Sequence, residues 1–256
     1  MNKTTKKLQK ADQYNDPNHN YLHYWDGREY EHAAEELAIA RLLKGMSIEK
    51  AVDVGGGYGR LSVFLKNFAQ DVTLAEPSQQ QLDIAKEYLK DKPEVHMKLA
   101  QAEALPFKDE SVDLVLVVRV LHHLPDPMPA FEEIHRILKK DGLFLVEFAN
   151  NAHLKNRLKY ASKFKKIPRD PVDIRTRANK RDDEIPFVNH HPAVIKQQLA
   201  HVGFRLEKQL SASNFRSTTF KKVFGKSALL KLEKLTQKPL ASMHFGPSTV
   251  YLLRKI

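Results

Sequence analysis

The stretch AVDVGGGYGR, Ala51 to Arg60, places a tight limit on the local fold. Val52 and Val54 read as the end of a buried strand, and Leu61, Val63, Phe64 and Leu65 as the apolar side of a helix. Four glycines fill the five positions from 55 to 59 between them. They predict a strand-to-helix turn. Such a turn either packs closely against a sheet, or lets a ligand reach bare backbone beside the unpaired N–H groups of the following helix.

Strand and helix signals alternate around this turn. AVDVG is followed by a helix through Phe68, the strand VTLAE, a helix from Ser78 to Leu89, then VHMKLAQ, VDLVLVVRV, a helix from Pro129 to Leu138, and LFLVEFA. The five strands are rich in Val and Leu along their whole length, as strands buried on both faces are. They predict an α/β fold with a doubly wound, mostly parallel sheet, whose ligands bind beyond the carboxyl ends of the strands at the switch point.

The flanks divide the rest. Residues 1–20 read as disordered or loosely docked, and 21–45 as an aromatic segment running into a helix with Ala33, Leu37, Ala40 and Leu43 on one face and Gly45 as its stop. The α/β core is assigned to 46–150. A basic insert follows over 151–191, where the pattern fails over HLKNRLKYASKFKKIPRDPVDIRTRANKRDDEIPF, too long for a simple connection. Residues 192–256 return to regular elements: a helix ending at Gly203, the strand FRLEKQLSA, a basic helical segment FKKVFGKSALLKLEKLTQ and the strand TVYLLRKI, which complete the sheet.

Composition excludes several chemistries. The 256 residues contain no cysteine, so disulfides, thiolate metal sites and thiol nucleophiles are absent. The first twenty residues carry no apolar core of a signal segment and no apolar run approaches 18 residues; a soluble, cytoplasmic protein is expected. Charge is divided unequally, with 19 Lys and Arg against 24 Asp and Glu in residues 1–150 (−5) and 23 against 7 in 151–256 (+16). The basic half suits either an acidic partner such as RNA, an anionic headgroup or a phosphorylated small molecule, or nothing more specific than solvent.

Glu76 closes the second strand seventeen residues after Gly59, where a carboxylate accepts from both ribose hydroxyls of a nucleoside or, more simply, caps a helix. Together with this pair of signals, VDVGGGYGRLS, LAEPSQQQLDIAK, AQAEALPFKDESVDLVLVVRVLHHLPD and EEIHRILKKDGLFLVEF stand in the order and spacing that resemble the class I S-adenosylmethionine-dependent methyltransferases, particularly enzymes of the small-molecule type. The resemblance covers Ala51 to Asn150. It implies a Rossmann-like methyltransferase fold with a seven-stranded sheet and an insert after strand five, and S-adenosyl-L-methionine as cofactor.

Carried onto this chain, the resemblance implies that Gly55, Gly56 and Gly57 flank the methionine part of the cofactor, with Asp53 below them. Glu76 matches the ribose acid, with Pro77 and Ser78 beside the adenine. Gln101, next to Ala102, stands where the family usually carries an acid; its Oε1 can still accept from the adenine amino group, without charge. Val118, Arg119 and Leu124 fall where the fourth strand ends over the cofactor. Tyr21, Tyr24, Trp25, Tyr30 and Arg28 read as a lid over the same cleft or as an anchor for the first helix.

Transfer from a sulfonium requires mainly an oriented nucleophile, with a base only where the acceptor must first lose a proton. His122 and His123, in LHHL, are the candidates for that base, or else packing residues. Arg119 either clamps a carboxylate of cofactor or substrate, or pairs with Asp126 or Glu147. Asn150, Asn151, His190 and His191 are candidates to face the acceptor; no metal site is expected, because the two histidines lack a third ligand at a supporting spacing. Leu154, Leu158 and Phe164 mark the apolar side of a basic amphipathic segment. The expected function is methyl transfer to a small-molecule acceptor, with an RNA methyltransferase or a non-catalytic cofactor-binding protein as alternatives.

Overall fold

The computed structural model describes residues 14–16, 21–181 and 185–256; the side chains of Tyr21 and His23 lie outside that description. Most of the expectation for residues 1–20 therefore lies outside it too. A 3₁₀ turn (Tyr21–Trp25) leads into α1 (Glu29–Leu43). Then come β1 (Ile48–Val54), α2 (Arg60–Leu65), β2 (Ala69–Glu76), α3 (Gln79–Leu89), β3 (His96–Leu99), β4 (Val112–Val117), a second 3₁₀ turn (Leu121–His123), α4 (Met128–Ile137) and β5 (Leu138–Ala149). After β5 the chain forms α5 (Leu154–Ala161), β6 (Val172–Asp173), α6 (Arg177–Arg181) and β7 (Val188–Asn189), then α7 (Pro192–Val202), β8 (Phe204–Ala212), α8 (Thr218–Val223), α9 (Lys226–Thr236) and β9 (Ser248–Lys255).

The main sheet has seven strands in the order β3-β2-β1-β4-β5-β9-β8. β1 through β5 pair in parallel, and β9 runs antiparallel between β5 and β8. Strand order reverses between β1 and β4, so their carboxyl ends form the expected crevice. Alternation along β4 explains the two layers: Leu114 and Leu116 pack on the face covered by α1, α2 and α3, while Val115 and Val117 pack on the face covered by α4 and α7.

Three local expectations are corrected. α2 stops at Leu65 rather than Phe68, because the N–H groups of Lys66, Asn67 and Phe68 bond three residues back and tighten the last turn. The basic segment after β8 breaks into α8 and α9 at Gly225. In α1 the buried face is not Ala33, Leu37 and Ala40 but the adjoining one, Ala34, Ala38, Ile39 and Leu42, and it carries Glu31 and Glu35 inward. Both glutamates are ion-paired, Glu31 to Lys221 and Glu35 to two arginines. Tyr30, Ala34, Ala38 and Leu42, with Ile39 and Leu43, form an apolar stripe of their own, and the two glutamates beside it are buried because each is ion-paired.

Candidate active site

A cleft of about 660 Å³ opens over the carboxyl ends of β1, β2 and β4. Its floor is the glycine turn. Gly55 adopts φ +66° and its N–H donates to the Ala75 carbonyl at 2.7 Å, locking the turn to β2. A Cβ on Gly56 would fall 2.5 Å from Asp53 Oδ2 and 2.6 Å from Leu74 Cδ1, so only glycine lets the loop lie this close to the sheet. Glu76, buried at the end of β2, accepts from Gly57 N–H at 2.8 Å through Oε2 and from Ser78 N–H at 3.0 Å through Oε1. One carboxylate thus orders the loops after both strands.

Asp53 lies beneath the turn, 1% exposed, with Ser62 Oγ donating to its Oδ2 at 2.7 Å. Burial pushes its carboxyl up to about 6, against the opposing pull of Ser62 and Arg60. Pro77, Gln101, Ala102, Val118 and Leu124 complete the walls, and all of these expected residues line the one cleft with Asp53, Gly55, Gly56, Gly57, Glu76, Arg119 and His123.

Arg119 leaves β4 with φ +61°, an uncommon backbone state for a residue with a side chain. Its N–H donates to Glu147 Oε2 at 3.0 Å, and its Nε donates to Glu35 Oε1 at 2.6 Å. The side-chain partner is therefore Glu35, not Asp126 or the Glu147 carboxylate. Burial opposes the guanidinium's charge, but Glu35 and Glu147 outweigh it and raise its pKa. The second oxygen of Glu35 accepts from Arg60 Nη2 at 2.8 Å, and both guanidinium groups lie over Trp25, at 3.7 Å for Arg60 and 5.0 Å for Arg119. Burial and Arg60 push His32 down to about 4, so its neutral ring accepts from Arg60.

The roof comes from distant segments. Tyr14 and Trp25 arrive from the amino-terminal side, and Ile185 and Pro186 from the insert. His123 joins them: its Nδ1 donates to the Pro186 carbonyl at 2.8 Å, which leaves Nε2 to accept from Tyr14 Oη at 3.0 Å. His122 does not line the cleft. Its ring packs 4.3 Å from Phe187 and 4.0 Å from His123, and burial, then His123 and Arg119, holds its pKa well below the usual range.

Several expected residues lie elsewhere. Arg28 is exposed and stacks on Tyr24, away from the cleft, while the Tyr21 side chain lies outside the described residues. Tyr30 is an anchor, donating to Glu233 Oε2 at 2.6 Å. Asn150 and Asn151 are buried ties: Asn150 Nδ2 donates to the carbonyls of His244 and Gly246, and Asn151 Nδ2 to that of Pro168. His190 donates to the Leu121 carbonyl at 2.8 Å, and His191 caps α7. Phe164 lies beyond the end of α5 and is fully exposed, as Leu158 largely is. No group of three or more His, Asp or Glu side chains is placed to hold a metal among the described residues, and no helix there is long and apolar enough to cross a membrane.

The size of the cleft, its bare glycine backbone and a buried acid at the β2 side suit a nucleoside bearing an amino-acid arm. The fold and site thereby define a doubly wound nucleoside-cofactor enzyme. Comparison with known proteins narrows the class. Residues 52–146 match a family model described as a methyltransferase domain. The chain is 30% identical over 186 residues to the ubiquinone/menaquinone biosynthesis C-methyltransferase UbiE of Shewanella halifaxensis, an alignment covering 66% of this chain and 74% of that one. It is 28% identical over 99 residues to the methyltransferase YcgJ of Bacillus subtilis, of which the match spans 39%, and 38% of this chain. An S-adenosylmethionine-dependent methyltransferase from Mesorhizobium loti shares the fold, with a TM-score of 0.60 over 88% of this chain and 100% of that chain at 16% identity. The chain belongs to the class I S-adenosylmethionine-dependent methyltransferases, and S-adenosyl-L-methionine is its cofactor.

Sequence reasoning missed Tyr14, Glu35, Arg60 and Pro186. Arg60 had a signal, standing where a dinucleotide fingerprint would place its third glycine. The other three are set by chain path and carried none.

Proposed function

We propose that the protein transfers the methyl group of S-adenosyl-L-methionine to a small-molecule acceptor by in-line displacement. The observation that carries this reading is the roof. Ile185 and Pro186 line the same cleft as the glycine turn, and His123 ties Pro186 to Tyr14 across it, so side chains from two distant segments narrow the cleft above the glycine turn. A narrowed cleft favours a small acceptor held in one orientation for transfer. The Shewanella relatives, named as ubiquinone/menaquinone biosynthesis C-methyltransferases, support a small-molecule acceptor in place of a nucleic acid.

Bound in this cleft, the cofactor supplies a methyl group already activated on sulfonium sulfur. Glu76 holds the turn in the shape that receives the nucleoside, and Asp53 supports it from below. Arg119, fixed by Glu35, bounds the acceptor end as a charged guanidinium. The two histidines have unequal parts: His122 packs, while His123 presents Nε2 to the Tyr14 hydroxyl at the cleft and takes the acceptor proton through it when one must leave.

Incubating an extract with the enzyme and methyl-labelled cofactor, then separating RNA, protein and small molecules, tests the reading. Label is expected in the small-molecule fraction. Label confined to RNA overturns it in favour of the basic half as a nucleic-acid footprint.

A further inference from the structure

The large apolar side chains left outside the core are not spread evenly. Phe220, Val223, Phe224, Leu232 and Leu235 are all exposed and lie on α8, α9 and the turn between them. The sequence FKKVFGKSALLKLEKLTQK holds more apolar residues than one helix face can bury, and the inner face of α9 is already taken. Leu229 and Glu233 turn toward α1, where Tyr30 Oη donates to Glu233 Oε2 at 2.6 Å and Gln237 Nε2 donates to the Ala34 carbonyl at 3.0 Å. With the rotation of α9 set by these contacts, Lys231 and Leu235, one turn apart, fall on the opposite face, and Leu235 is 72% exposed. On α8, Phe220 packs edge-on against Phe215 and stacks with Phe224, while Val223 stands 69% exposed beside them.

The charges around this apolar surface have one sign. Residues 217–238 contain six lysines, no arginine and a single acid, Glu233, which is buried. Lys221 is spent on Glu31, at 2.8 Å, and Lys226 lies within electrostatic reach of Glu29 and Glu36. Lys222, Lys231, Lys234 and Lys238 are exposed and form no ion pair among the described residues. Four cations without counter-charges thus stand among protruding apolar side chains on one pair of helices.

We propose that α8 and α9 form a surface that docks on an anionic lipid bilayer. Val223, Phe224, Leu232 and Leu235 enter the boundary between headgroups and acyl chains, and the lysines, reaching outward along their flexible stems, meet the anionic headgroups. The chemistry favours lipid over the other occupants. Val223, Leu232 and Leu235 are aliphatic and offer no face on which a base can stack, and the segment lacks the arginine fork suited to phosphodiester oxygens. A second copy of this chain docked face to face would bring lysine against lysine. The docking surface lies outside the cofactor cleft, and the proposal is independent of what the cleft methylates.

The test is co-sedimentation of the full chain with vesicles of phosphatidylcholine, alone or with about one-third phosphatidylserine. Binding is expected to the mixed vesicles and not to the neutral ones. Val223→Asp combined with Leu235→Asp should weaken it about 10-fold or more, and Lys231→Gln combined with Lys238→Gln by a similar factor. All four positions are exposed, so melting temperature and S-adenosylhomocysteine affinity should stay at wild-type values in both double variants. No binding to the mixed vesicles, or binding undiminished in both double variants, overturns the proposal. Two other results overturn it in favour of a different occupant: no vesicle binding together with retention of a single-stranded RNA that the lysine variants lose, or no vesicle binding together with a dimer in sedimentation velocity that the aspartate variant dissociates.

Discussion

The two ends of the cleft are built by different means. At the ends of β1 and β2 the surface is backbone: a glycine turn locked to Ala75, with one carboxylate collecting the N–H groups of Gly57 and Ser78. Beyond β4 it is side chain, with Arg119 held by a glutamate 84 positions earlier and His123 by a carbonyl 63 positions later. The first end depends on local conformation and the second on long-range pairing. A conserved cofactor chemistry can therefore be kept by a short segment while the acceptor end is rebuilt by whatever distant segments pass over it.

Breaking the tie between the ends should have the largest effect. Glu35→Ala leaves Arg60 and Arg119 without their shared carboxylate in a buried setting, a loss of about 3–5 kcal/mol. Thermal denaturation should show it as a fall in melting temperature on the order of 10 °C; a fall of only a degree or two would mean that the two arginines find other partners. His123→Asn addresses the side-chain end alone. It is expected to lower kcat about 100-fold with S-adenosylhomocysteine affinity within about two-fold of wild type, and an unchanged kcat would remove His123 from proton transfer.

At the backbone end, Glu76→Ala should weaken S-adenosylhomocysteine binding by about 10- to 100-fold, from the loss of charge-assisted contacts. Calorimetry giving wild-type affinity would contradict the role assigned to Glu76. The smallest effect concerns Asp53. Its carboxyl is raised to about 6 in the folded protein, above its ordinary value, so the native state binds the proton more tightly than the unfolded chain. Stability from this group is present at low pH and is lost as pH rises through about 6. Relative to Asp53→Asn, wild type should gain about 1 kcal/mol on going from pH 7 to pH 5. Parallel stability curves for the two proteins would show that Asp53 does not titrate there.

What could be read from the sequence follows the same division. The parallel strands, the glycine turn and Glu76 were legible because each is marked by a short run of residue types, and Asp53, Gly55, Gly56, Gly57, Glu76, Pro77, Gln101, Ala102, Val118, Arg119 and Leu124 line one cavity, whereas Ser78, expected beside the adenine, does not. The rotation of α1 was not, because Ala33, Leu37 and Ala40 overlap a second apolar stripe through Ala34, Ala38, Ile39 and Leu42, and the stripe that is buried brings Glu31 and Glu35 inward to cations from other elements. Asn150 and Asn151, directly after strand five, and His190 and His191, just before a helix, were expected to face the acceptor. Their polar atoms instead satisfy carbonyls and N–H groups where the insert is sewn to the sheet, a use that only the three-dimensional path reveals.

The shared carboxylate of Glu35 also bears on how this chain can drift over evolutionary time. Because it answers Arg60 and Arg119 together, replacing Glu35 strands two guanidinium groups beside Trp25, whereas replacing either arginine leaves Glu35 paired with the other. Descendants that lose Glu35 should therefore already have lost both arginines, while either arginine alone is free to change. In a family tree of such sequences, changes at positions 60 and 119 are expected to precede any change at position 35.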